Sequence, residues 1–185
     1  MKHESTDLRV KRTLKCIRQA FNDLILEKNY SQISITELTE RADINRKTFY
    51  LHYSSLDDLV QEMEEEVAED LLNYLKTAAA HLDVGECIAE FYQYMNNGSP
   101  VLQKLMCDRS YSFFYNNVTD LVLKSTFFKR FYDRTRYPDL VRAYCVGITS
   151  VYRSWYENGR TIPLPELSDY AARLLVHGYE SVVVR

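Results

Sequence analysis

Apolar positions recur at helical spacing along almost the whole chain. From about Asp7 to Lys28 the residues Leu14, Ile17, Phe21, Leu24 and Ile25 form one stripe, with Asn29 as a stop. Ile35, Leu38 and Ala42 fall at i, i+3 and i+7 and mark a second, short helix. Ser34 and Glu37 in front of it have the S-x-x-E spacing of a capping box. Asp43-Ile44 reads as a tight turn, Asn45 as the cap of a third helix, and Phe49 and Tyr53 as its inward face. Tyr30 and Ile33 are placed to close this small three-helix core over Phe49.

The pattern continues downstream. A charge-rich helix is expected from Ser55 to His81 through Val67, Leu71, Leu72 and Leu75, with Asp57 and Asp58 favourably near its positive end. Ile88, Phe91, Tyr92 and Met95 predict a helix broken at Asn97-Gly98, and Val101 to Cys107 a short one. Tyr111 to Tyr132 predicts a single helix. After Pro138, the positions Leu140, Tyr144, Gly147, Ile148, Val151 and Trp155 give another, ended by Asn158-Gly159. Pro165-Glu166 opens the last, with Leu167, Tyr170, Ala171, Leu174, Leu175, Gly178 and Val182 on one stripe. Gly (5) and Pro (4) are too few and too clustered for an all-β chain. The fold class is therefore all-α, with a head over 1–54 and a helical body over 55–185.

Composition narrows the classes. At 46% hydrophobic and 26% charged, the 185 residues are globular and not disordered. The polar start has no apolar stretch of a secretory signal, and apolar runs are far below a membrane span, so a cytoplasmic protein without a membrane partner is expected. Cys16, Cys87, Cys107 and Cys145 are scattered, with no C-x-x-C and no zinc-ligand spacing, so reduced thiols and no metal are expected. A redox role for Cys107, beside Asp108 and Arg109, is the alternative for that one thiol. No G-x-S-x-G, P-loop or H-E-x-x-H occurs, which argues against an enzyme and against a catalytic or cofactor site.

The net charge of -3 speaks against nucleic acid until its distribution is seen. The first 60 residues carry 10 Lys+Arg against 9 Asp+Glu, and the remaining 125 carry 13 against 17. A mildly basic head on an acidic body suits contact with phosphates at one end. Two short helices, a tight turn, and Arg46, Lys47 and Thr48 on the second N-terminus describe a helix-turn-helix. The plain alternative is a helical hairpin whose charges are only solvated.

With those residues in place the chain resembles a TetR/AcrR-type transcriptional regulator over essentially its whole length, nearest to the DhaS-like subgroup of small regulators. The resemblance rests on Phe21, on the run Glu27-Lys28-Asn29-Tyr30, on Ser34 to Leu38 with Ala42, and on Ile44 to Tyr53. Gly147, the run Trp155 to Gly159, and Pro165-Glu166-Leu167 carry it downstream. It implies a homodimer on a palindromic operator in double-stranded DNA, responding to a small-molecule effector, as a repressor or activator. It assigns Arg46, Lys47 and Thr48 to base edges or adjacent phosphates, Tyr50, His52 and Thr36 to backbone phosphates, and Ser34 and Asn45 to the caps that orient them. Two departures stand out: Asp43 replaces a common Gly, and Leu56 replaces a common phosphate-contacting Lys.

For the body the resemblance implies ligand sensing and dimerisation. Tyr92, Phe113, Phe114, Phe128 and Tyr144 are candidates to line an apolar pocket, although the same aromatics also serve as plain core. Gly147, Val151, Trp155, Ala171, Leu174, Leu175 and Gly178 are the expected dimer face, their small residues permitting close helix approach. An effector-independent regulator and a helical protein-interaction scaffold are the alternative functions.

Overall fold

The computed structural model describes residues 2–80 and 83–180, with ten α-helices and no strand among them. The helices are α1 (Lys2–Glu27), α2 (Ile35–Arg41), α3 (Arg46–Tyr50), α4 (Leu56–Ala80) and α5 (Val84–Asn97). They continue with α6 (Pro100–Cys107), α7 (Ser112–Lys124), α8 (Thr126–Tyr132), α9 (Pro138–Glu157) and α10 (Leu164–Glu180). The chain divides into two compact units, 1–63 and 64–185, so the first two turns of α4 belong to the head.

The head is closed by the residues that the periodicity put inward. Ile17, Phe21, Leu24 and Ile25 of α1 meet Leu38 of α2 and Phe49 of α3, all essentially without solvent contact. Leu59, Val60 and Met63 at the start of α4 are buried as well. Their apolar spacing is what carries this stretch of α4 into the head. His81, the expected end of the charge-rich helix, lies outside the described residues.

In the body, α5 and α10 pack closely. A Cβ on Gly85 would stand 3.6 Å from the Ala172 Cβ and 3.8 Å from Val176 Cγ2, so the small residue sets the approach. A second set of buried side chains joins Cys87, Leu123, Phe131, Tyr132 and Val141. The single helix expected over Tyr111 to Tyr132 is instead two, α7 and α8. Ser125 is extended (φ -63°, ψ 153°), donates to the Val122 carbonyl at 2.6 Å, and accepts from the Phe128 amide at 3.4 Å. Its hydroxyl thus ends one helix and caps the next, a local competition with the backbone that an apolar-stripe argument overlooks.

The tyrosine-rich composition is absorbed mainly by core and tie bonds. The Tyr92 hydroxyl donates to the Ile148 carbonyl at 2.9 Å, Tyr94 to Asp70 at 3.0 Å, and Tyr115 pairs with Thr149. Among the described residues the buried hydroxyls of Tyr132 and Tyr152 have no hydrogen-bond partner.

Candidate nucleic-acid interface and body cavity

Local chemistry places α3. The Ser34 hydroxyl accepts from the Glu37 amide at 3.2 Å and starts α2. The other half of the expected capping box is absent, because the Glu37 carboxylate pairs with Lys28 Nζ at 2.6 Å. A full charge is the stronger partner for it than a neutral amide. At the end of α2 the amides of Asp43 and Ile44 bond the carbonyls of Glu40 (3.2 Å) and Thr39 (3.0 Å). This is the Schellman arrangement, and Asp43 occupies its left-handed position at φ 52°. The turn therefore exists without the glycine usual there. Asn45 accepts from the Lys47 amide at 2.8 Å and starts α3, while the Phe49 and Tyr53 rings, 5.7 Å apart, anchor it inward.

What remains on α3 faces out. Arg46, Lys47 and Tyr50 are exposed, and Thr48 and His52 are half-buried. On α2 and the turns Ser34, Thr36 and Asn45 are exposed too, though the side chains of Ser34 and Asn45 are already engaged as caps. Two other cations of the head are matched: Arg41 forks onto Glu27 (2.5 and 2.8 Å), and Arg18 meets Glu62 at 2.7 Å. The Arg41 hydrogen bonds hold the Glu27 carboxyl below its ordinary range. No ion pair involves Arg46 or Lys47 among the described residues. α3 therefore begins with two exposed cations, and Arg9, Arg12 and Lys15 are exposed on α1 as well.

The apolar pattern overlooked one residue here. Leu51 follows α3 with αR backbone and is 80% exposed. It stands two residues beyond the buried Phe49, about 200° around the helix, on the outward side with Lys47. An apolar residue that breaks the inward stripe of a short amphipathic helix was the available clue.

The body contains an apolar cavity of about 70 Å³. Residues of α4 to α9 line it, among them Leu71, Cys87, Phe91, Val118, Phe128, Tyr144, Cys145 and Ile148. Phe128 and Tyr144 were expected there; Tyr92, Phe113 and Phe114 do not line it. Tyr92 is held away by its bond to the Ile148 carbonyl and stacks on Tyr152 at 5.3 Å. Phe114 is wholly enclosed in the core, and Phe113 lies half-buried beside the Tyr111 ring at 6.3 Å. Helical spacing identifies a buried face but not which buried side chains border empty space.

The expected dimer face splits in two. Leu174 is 70% exposed, Val151 is half-buried, and a Cβ at Gly147 would meet nothing within 4 Å. Ala171, at 1% exposure, is enclosed within the body, and Trp155 is buried with its indole N–H donating to the Ile162 carbonyl at 2.9 Å. Both are corrected from interface to core: each lies on the inward side of its own helix. Leu175 and Gly178 lie outside the residues whose side chains are described, and Val182 lies outside the described residues. The outward side is completed by Leu140, Tyr144 and Tyr170, all exposed.

Thiol chemistry is muted. Burial pushes the Cys107 thiol up to about 12 and the Cys87 and Cys145 thiols to about 11, so all three stay protonated near neutrality. The redox alternative for Cys107 loses its reactive thiolate. No group of three or more metal-ligating side chains occurs among the described residues, and no helix there is long and apolar enough to cross a membrane.

Residues 17–63 match the family model "Bacterial regulatory proteins, tetR family". The HTH-type transcriptional regulator YxbF of Bacillus subtilis is 34% identical over 80 residues, 43% of this chain and 21% of that protein. The dhaKLM operon transcriptional activator DhaS of Lactococcus lactis is 34% identical over 61 residues, 33% of each chain. The match therefore spans a third or less of the length of these relatives. A TetR regulator from Streptococcus agalactiae shares the fold, with a TM-score of 0.76 at 17% identity over 94% of this chain and 98% of that one. The head is a helix-turn-helix domain of this type. Residues 17–63 thus carry a domain of the tetR family of bacterial regulatory proteins.

Proposed function

We propose that this protein is a sequence-specific DNA-binding transcriptional regulator, a homodimeric repressor whose grip on a palindromic operator is set by a small effector. The observation that carries the reading is α3: a short, capped helix anchored by Phe49, with Arg46 and Lys47 exposed and in no ion pair among the described residues. Arg46, Lys47 and Thr48 reach base edges or neighbouring phosphates, while Thr36, Tyr50 and His52 position the head on the backbone. Ser34 and Asn45 act as the caps that fix those groups. Leu51 adds an apolar contact suited to a thymine methyl group.

One head reads only a few base pairs, so specificity requires two heads on half-sites about 34–36 Å apart. The outward stripe of Leu140, Tyr144, Gly147 and Val151 on α9, with Tyr170 and Leu174 on α10, is the surface for pairing. The body cavity is the effector site. The partial likeness to DhaS, an activator, supports placing the chain near that subgroup. Footprinting on the DNA flanking its own gene tests the reading. A protected palindrome whose affinity falls steeply with salt is expected, and no protection at low salt would overturn it.

A further inference from the structure

Resting on the reading of the body cavity as the effector site, we infer that it takes a small, neutral, hydrocarbon-rich molecule such as a substituted arene, and rejects polyols and ionised ligands. The walls decide this. Among the described lining residues there is no carboxylate, amine, guanidinium or imidazole. Three side chains bring hydroxyls: Thr119, Tyr144 and Thr149. Two of these are engaged elsewhere. Tyr144 donates to the Leu174 carbonyl at 3.0 Å, and Thr149 donates to the Val146 carbonyl at 2.8 Å and pairs with Tyr115.

Cys87 and Cys145 add thiols, weak hydrogen-bonding groups that remain neutral in this setting. A polyol entering this space would exchange several water bonds for at most one from Thr119. A carboxylate would leave water for an apolar wall with no countercharge, the costliest transfer available. An apolar molecule loses nothing comparable, because dry cavities lined by such side chains accept benzene-sized ligands. At about 70 Å³, roughly half of an apolar cavity that holds benzene, the space admits one small ring with short substituents only as its walls, Tyr144 among them, move outward.

The regulatory consequence follows from α9. Tyr144, Cys145, Ile148 and Thr149 line the cavity, while Gly147 and Val151 belong to the outward stripe of the same helix. A guest pressing on Tyr144 acts on the side chain whose hydroxyl is tied to α10 at Leu174.

Thermal melting of the full-length protein tests the ligand class with toluene, its charged counterparts benzoate and benzylammonium, and 1,2-propanediol at equal millimolar concentration. Toluene at a hundredfold excess over its Kd is expected to raise Tm by roughly 5–10 °C, with the other three inert. Ethylbenzene should bind about fourfold tighter than toluene until the cavity is full. Ile148→Phe and Val122→Phe, which fill the space, should abolish the toluene shift; either one that folds suffices. A shift by benzoate, benzylammonium or 1,2-propanediol that Ile148→Phe removes overturns the ligand class and leaves the effector site standing. No shift with any compound, together with an Ile148→Phe protein at least as stable as the parent, makes the cavity mere packing space and overturns both.

Discussion

The Tyr144 hydroxyl donates to the main-chain carbonyl of Leu174 at 3.0 Å, joining α9 to α10 at the margin of their shared outward face. Leu140 is 69% exposed one turn before Tyr144, and Leu174 is 70% exposed beside it. Large apolar side chains left this open on adjacent helices support the proposal that a second copy covers this surface. Leu140→Asp and Leu174→Asp should each give monomers and reduce operator affinity by at least tenfold, with every side chain of the head intact. Sedimentation checks the first outcome and operator titration the second; a parent protein that is monomeric at micromolar concentration would sink this proposal.

Arg46→Ala and Thr48→Ala should each cost about 1–3 kcal/mol of operator binding and relax preference at one base pair. Tyr50→Ala should weaken all sequences more evenly. Circular dichroism should be unchanged, because neither Arg46 nor Tyr50 is part of the buried core. Equal affinities of all three variants and the parent would remove α3 from the interface.

Leu51 gives a sharper test. If it touches a thymine methyl, uracil at that position should weaken binding by about fourfold, the worth of one buried methyl-sized group. Leu51→Ala should lose a similar amount on thymine and show no further loss on uracil. Additive losses in that cycle would mean that the two groups do not meet.

Asp43 holds a left-handed backbone, φ 52°, at the end of α2. Asp43→Gly removes the strain of a side chain there and should stabilise the head by roughly 0.5–1 kcal/mol. It also deletes a negative charge next to α3, so non-specific DNA affinity should rise. Urea titration and salt-dependent retention on bulk DNA read the two effects separately.

Alkaline pH should destabilise the fold. Burial raises Cys87 and Cys145 to about 11, Cys107 and Tyr111 to about 12, and Tyr92 and Tyr152 higher still. Each acid is harder to ionise when folded, so the unfolded chain releases protons first as pH climbs past the ordinary thiol and phenol values. The stability these groups contribute is complete below about pH 8–9 and lost as pH rises through the folded values. Tm should therefore fall progressively between pH 9 and 12. At pH 8 a thiol reagent should modify Cys16 well before Cys87, Cys107 or Cys145, and unfolding should expose all four. Rapid labelling of Cys107 in the native protein would contradict its enclosure.

The sequence by itself determined the helices and the chemistry of the head. Apolar spacing named Ile17, Phe21, Leu24, Leu38 and Phe49 as core, and cap residues such as Ser34 and Asn45 act over two or three positions, so local reading suffices. Contacts between distant segments were decided only by the tertiary structure. Glu37 abandons its capping role for Lys28, nine residues away, and Ala171 and Trp155 turn inward. A stripe on a helix is ambiguous whenever both of its sides carry apolar groups, as α9 and α10 do. The cavity was the least legible feature, because empty space depends on how six helices meet and not on the spacing within any one of them.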